Sequence, residues 1–190
     1  MIITSGTGNE FSAGVTSTNR LETFSITEDR MADISSRTGE SFVLATDFIS
    51  LTTTGSFNGL SYIKNNSGKT FFMQRIRTCS TATGSIQCIL TRNPTTGTLI
   101  SDANLSDQRS ANMGSNEVFS NFGLSYAASG DGKTVTDGDQ FSNFINRSPG
   151  HSIQEYGGAI ILPKGSSLAL SAKPSVATTI CVEIQGWFDE

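Results

Sequence analysis

Charge is scarce in this chain. Charged residues fill 16% of its 190 positions, against about 25% in an average soluble domain. The 13 basic residues are scattered and outnumbered by 17 acidic ones, for a formal net charge of −4. A protein that neutralises phosphates carries a basic stripe, so the balance argues against a nucleic-acid partner. The nearest thing to a patch is Arg75 and Arg77, two residues on one face of a strand-like run, which reads as a solvated face or an ion pair. Long apolar runs are also missing. The longest candidate, Ala159-Ile160-Ile161-Leu162, stops at Pro163, far short of the roughly 18 residues a membrane helix needs. Met1–Gly6 has neither a basic nor a long apolar region, so no secretory signal is expected there.

Chemistry-bearing residues are equally thin. The single histidine, His151, follows Ser148-Pro149-Gly150 in what reads as a loop, and no G-x-S-x-G elbow stands ready to pair with it. A nucleophile–base–orienter arrangement is therefore not indicated. Three cysteines, Cys79, Cys88 and Cys181, lack CxxC spacing and are odd in number, which points to neither a zinc site nor a disulfide framework. They read as small buried hydrophobes with inert thiols, in keeping with synthesis in a reducing cytoplasm. Gly130-Asp131-Gly132-Lys133-Thr134 has the look of a phosphate loop but lacks its spacer and following helix, and reads as a turn. Asp131, Asp137 and Asp139 crowd a glycine-rich loop. Loop carboxylates suit calcium, but aspartates also make turns, and turn formation is the expectation. No paired carboxylates stand out as a glycosidase would require. The expectation is thus no catalytic residues, no cofactor and no metal.

What the chain has in abundance is Ser, Thr and Gly: 27, 23 and 19 residues. Thr favours strands, and Ser and Gly serve turns, so the composition disfavours helical bundles and doubly wound α/β folds. A single domain of this length can bury about 70% of its unfolded surface. Phe supplies 12 of the 16 aromatics, which reads as core packing more than as sugar platforms.

Two regions differ along the chain. Residues 1–40 are poor in apolar side chains and read as an extended N-terminal arm, with a short helical turn at 28–34 capped by Thr27. Residues 41–190 read as one β-sandwich domain of eight or nine short strands. Asn65-Asn66-Ser67-Gly68 predicts a hairpin between its flanking runs. In the run 69–78, Phe72 and Ile76 are expected on one face, with Phe71, Met73, Arg75 and Arg77 on the other. Ser85–Thr91 should turn Ile86, Cys88 and Leu90 one way. Residues 101–116 read as a long surface loop, Val118–Tyr126 as a strand, and Pro163-Lys164-Gly165-Ser166 as a turn. From Val176 to Ile184 strict alternation predicts a half-buried strand, with Trp187 and Phe188 packing at its edge. Strand spacing with mixed tight and long connections predicts a mainly-β, jelly-roll-like antiparallel sandwich.

The stretch Leu60–Phe72, with its Lys-Asn turn between two strands, resembles the small β-sandwich virion proteins of tailed bacteriophages. So do Gly158–Leu170 and the closing Ile180–Phe188. The likeness is strongest to capsid decoration, or cement, proteins. It implies a jelly roll, a homotrimer on the outer capsid surface, the major capsid protein as partner, manufacture in the host cytoplasm, and no catalytic residues to carry over. The expected function is a non-enzymatic bacteriophage virion structural protein that stabilises the capsid lattice, with no nucleic-acid or membrane partner. The rival expectations are a tail or fibre glycan-binding module, for which Tyr126 and Tyr156 are the candidate contacts, and a polysaccharide depolymerase.

Overall fold

The computed structural model describes residues 3–4, 12–13, 38, 40–100, 108–110 and 122–189. Among these, every regular element is a strand: β1 (Ile3–Thr4), β2 (Ser12–Ala13), β3 (Ser41–Ala45), β4 (Ile49–Leu51), β5 (Asn58–Asn65), β6 (Thr70–Arg92), β7 (Gln108–Ser110), β8 (Phe122–Tyr126), β9 (Asp139–Leu162), β10 (Ser167–Pro174) and β11 (Thr178–Asp189). β1 and β2 pair only with each other, and the other nine strands form one antiparallel sheet. The expected arm over 1–40, with its helical turn at 28–34, otherwise lies outside the described residues apart from Thr38 and Glu40.

β6 organises the sheet. Its first half, residues 70–80, lies between β11 and the second half of β9, and its second half, residues 86–92, lies between β10 and the first half of β9. Pairing with β9 slips between Ser80 and Gly84, and on the opposite side β10 gives way to β11 at Ser175–Ala177. A sheet whose strands bend together at one level folds over on itself. One layer is then β7–β3–β11–β6–β9, with β4 beside β3 on β11, and the other is β8–β5–β10–β6–β9. On the far side, a bridge from Ser50 to Ser129 ties β4 to the segment after β8, so the sandwich is nearly a closed barrel there. The result is a mainly-β antiparallel sandwich, built from one sheet nearly closed into a barrel.

The core lies between the layers. Phe42, Phe71 and Phe188 of one layer meet Phe122 of the other. Phe122 stands 4.8 Å from Phe71 and 4.8 Å from Phe188, and Phe188 stands 5.6 Å from Phe42. Each such ring pair adds about 0.5–1.5 kcal/mol beyond its buried area. Ile86, Cys88 and Leu90 share the inward face, as their spacing predicts. The run before them departs from expectation. Phe71, Met73 and Ile76 all point inward, and only Phe72, Arg75 and Arg77 point outward. A bulge is the reason: Met73 pairs with Ile160 and Arg75 with Glu155, so the register slips at Gln74 and the alternation inverts. β11 alternates as its sequence requires, but it lies inside the sheet, so Phe188 is core and not edge packing.

The turn at Asn65–Gly68 is not a hairpin. β5 pairs with β10 and β8, whereas β6 pairs with β9, β10 and β11. The turn instead carries the chain from one layer to the other. Asn65 is buried and braces this arch: its Nδ2 donates to the carbonyls of Lys69 (2.9 Å) and Leu162 (2.7 Å), and its Oδ1 accepts from the backbone N–H (3.1 Å) and hydroxyl (2.6 Å) of Ser67. The turn at Pro163–Ser166 forms as expected, closed by Ser166 N–H donating to the Pro163 carbonyl at 3.0 Å with Gly165 at φ 85°. Within the segment expected to be an irregular loop at 101–116, residues 108–110 form β7 and extend the sheet beyond β3.

Asn65→Ala removes all four of these bonds and leaves the Leu162 carbonyl without its side-chain donor. It should destabilise the fold by about 1–3 kcal/mol, read as a lower midpoint in urea unfolding, while Asn66→Ala at the exposed neighbour should leave the midpoint within about 0.5 kcal/mol of the parent.

Candidate functional site

Two loop clamps share one design. The Asp131 carboxylate accepts from the backbone N–H groups of Thr52 (2.9 Å) and Thr53 (2.8 Å) and from the Thr52 hydroxyl (2.6 Å). The Asp137 carboxylate does the same for Thr95 (2.9 Å), Thr96 (2.9 Å) and the Thr95 hydroxyl (2.6 Å). These donors favour the ionised acid, so both carboxyls sit below their usual range. The Thr52 hydroxyl is the leading cause at Asp131, and the Thr95 hydroxyl at Asp137, whose pKa falls to about 2. Asp139 pairs instead with Arg92 at 3.1 Å. The three aspartates of the glycine-rich loop thus serve three different partners, and among the described residues no group of three His, Cys, Asp or Glu side chains gathers around a point. Gly130–Lys133 is a turn closed by Lys133 N–H donating to the Gly130 carbonyl at 3.0 Å.

The clamps hold a lid of loops over the outer face of the second layer. Leu99, with Ile100 and Val135, packs on Tyr62 and Ala169 as a small second core. Three open depressions of about 360, 530 and 280 Å³ lie on the surface. Among the described residues, the first holds Arg92 and the second Lys173 as their only charged linings, and the third holds Asp137, whose oxygens are already bonded to Thr95 and Thr96. None brings together an acid and a base, or a nucleophile and a base, as a reacting site requires. Tyr126 donates its hydroxyl to Asp47 at 3.1 Å, and both Tyr126 and Tyr156 lay their rings against the core. Neither is an open stacking platform.

The outer face of the first layer carries a laddered row of polar residues. Glu183, Arg77 and Ile153 are neighbours across β11, β6 and β9, and Gln185, Arg75 and Glu155 form the next rung. Arg75 reaches Glu155 at 3.8 Å and Arg77 reaches Glu183 at 4.0 Å, so the two arginines form ion pairs and not a basic patch. One rung further, Cys181, Cys79 and His151 stand in register. Of the cysteines only Cys88 is buried, and burial pushes its thiol up to about 12. Cys79 and Cys181 are partly exposed, which corrects the expectation that all three are buried.

Sequence reasoning missed the feature that dominates the surface. Among the described residues β9 pairs only with β6, so one edge of this 24-residue strand is unpaired along its length. Its outward positions carry Phe141, Ile145, Ile153 and Ile161, exposed by 44, 59, 43 and 51%. Because the strand folds over with the sheet, Phe141 and Ile161 from its two ends line the same 360 Å³ depression. The signal in the sequence is that these four apolar residues, at 141, 145, 153 and 161, all stand an even number of positions apart. The fold's own bulge sits beside them. Gly158 takes φ 87°, and a Cβ there would stand 2.6 Å from the Trp187 ring, which is buried on the outer face and stacked on Phe72 at 5.8 Å.

Comparison of the chain with protein-family models, with curated proteins and with solved structures yields no significant match.

The Asp137 clamp gives a pH signature. A carboxyl whose folded-state pKa lies below its ordinary 3.8 contributes stability that is fully present above that value and is lost as pH falls through about 2. Asp137→Asn should therefore lower the melting temperature at neutral pH and flatten its fall between about pH 4 and pH 2, as measured by calorimetry across that range.

Proposed function

We propose that this chain is a non-enzymatic structural subunit of a bacteriophage virion, of the capsid decoration or cement type, which binds the major capsid protein and reinforces its lattice from the outer surface. The observation that carries the reading is the β9 edge, open among the described residues, with its apolar row. An unpaired edge of this length presents backbone donors and acceptors that invite another chain, and soluble proteins normally cover or blunt it. Apolar side chains grouped on one strand mark a surface meant to be covered.

Burying the exposed part of each of the four residues is worth on the order of 1 kcal/mol. That is modest for one contact, and it suits an assembly in which many identical contacts act together. Closed symmetry is the usual form for such subunits. We place a second copy of the chain against β9, in a homotrimer assembled in the host cytoplasm before it meets the capsid. The rest of the surface fits the same role. Asp131 and Asp137 are bonded within loops, and Arg75 and Arg77 within a strand ladder, an arrangement that suits holding a shape more than turning over a substrate. No observation favours the glycan-binding alternative, since both candidate tyrosines lie against the core.

Two measurements test the reading. Purified particles should contain the chain at a copy number comparable with that of the major capsid protein. A handful of copies per particle, or none, would overturn the decoration role. In solution, Ile153→Lys should weaken self-association by about tenfold or more, seen by sedimentation velocity, with an unchanged far-ultraviolet spectrum. A parent chain that is monomeric at micromolar concentration would remove the role assigned to the edge.

A further inference from the structure

We propose that Cys79 and Cys181 form a redox-modification site, a dithiol that a small-molecule disulfide of the glutathione class converts into a covalent staple across the centre of the first layer. The two residues lie about a hundred positions apart in the chain, yet they face each other directly on adjacent antiparallel strands. Residues opposite one another in such a pair have Cα atoms roughly 4.5–5.5 Å apart, within the roughly 4.4–6.8 Å that a disulfide spans. Directly opposed residues also project from the same face of the sheet. Both side chains are partly exposed, so a reagent in solution can reach them.

The third cysteine supplies the contrast. Cys88 faces the core between the layers, and burial holds its thiol in the protonated, unreactive form. Cys79 lies between Cys181 and His151 in the same rung, and we assign it the first attack, with Cys181, whose thiol is raised first by burial and then by Cys79, following.

The chemistry balances in two exchanges. The Cys79 thiolate attacks one sulfur of the small disulfide, a Cys79–glutathione bond forms, and one glutathione leaves as thiolate. The Cys181 thiol then loses its proton and attacks the Cys79 sulfur, the protein disulfide forms, and the second glutathione leaves. Two electrons pass from the protein dithiol to the small disulfide, and the two protons end on the released thiols. The pair remains open where reduced thiols prevail and closes where small disulfides do. A bond joining residues so far apart restricts the unfolded chain strongly, and here it joins two strands that are both interior to the sheet.

The test uses the full chain, reduced, desalted and incubated with oxidised glutathione. Thiols titrated after denaturation should fall from three to one. The intact mass should drop by two hydrogens without a glutathione adduct, and a peptide map should link Cys79 to Cys181. Dithiothreitol should restore all three thiols, and the oxidised chain should melt several degrees higher than the reduced one. Cys181→Ser should stop at a glutathione adduct on Cys79, and Cys88→Ser should oxidise as the parent does, from two thiols to none. Retention of three thiols, a stable adduct on the parent chain, disulfide-linked dimers, or a Cys181→Ser chain that takes up no glutathione would each overturn the proposal.

Discussion

Two strands, β6 and β9, belong to both layers of this sandwich, and the rest follows from the inner of them, β6. β6 runs unbroken for 23 residues, so the sheet it belongs to must bend where it bends. The three strands around it comply in different ways. β9 bends with it at Pro149-Gly150, β10 and β11 divide the opposite side between them, and β6 itself loosens its pairing between Ser80 and Gly84. The inner face of the bend is polar: Asn146 is buried and donates its amide to the Thr78 and Ser80 hydroxyls. Apolar packing then occupies the space on either side, and the four-phenylalanine contact joins the two layers at one end.

The sequence discloses those parts of the fold that depend on neighbours in the chain. Strict alternation from Val176 to Ile184 predicts a half-buried strand because every second side chain meets the core; the structure buries Thr178, Ile180, Val182 and Ile184 in turn, while Val176 lies before β11 and is exposed. The turn at Pro163–Ser166 is legible for a similar reason, since Pro and Gly set the backbone locally. Two misreadings come from effects that local pattern does not contain. Phe71 and Met73 appear to share a face with Arg75 until a bulge at Gln74 inverts the count. Asn65–Gly68 has hairpin chemistry, but turn residues specify a reversal of the chain and not which strands will pair after it.

The surface was less legible than the core. Asp131 and Asp137 could be recognised as turn formers because short carboxylates seek nearby backbone N–H groups, but their partners, Thr52-Thr53 and Thr95-Thr96, lie tens of residues away in the chain. Arg75 and Arg77 likewise suggested ion pairs without naming Glu155 and Glu183. The rung of Cys181, Cys79 and His151 depends wholly on register between three distant segments. A single chain read in order carries no register between distant strands, because each pairing is decided by the whole set of inward-facing residues competing for the core.

The doubled service of β6 also bears on how the chain acquires its shape. Nearly every strand in the two layers pairs with a partner remote in sequence: β3 with β11, β5 with β10, β6 with β9 across the segment 93–138. Closing such wide loops costs entropy before any contact offsets it, which places the search among slow, all-β folders, on the order of milliseconds to seconds. Each layer takes its central strand from one half of the same continuous β6, so the order of one layer constrains the strand on which the other is built. The two halves of the sandwich therefore gain and lose their order together, as a single cooperative unit.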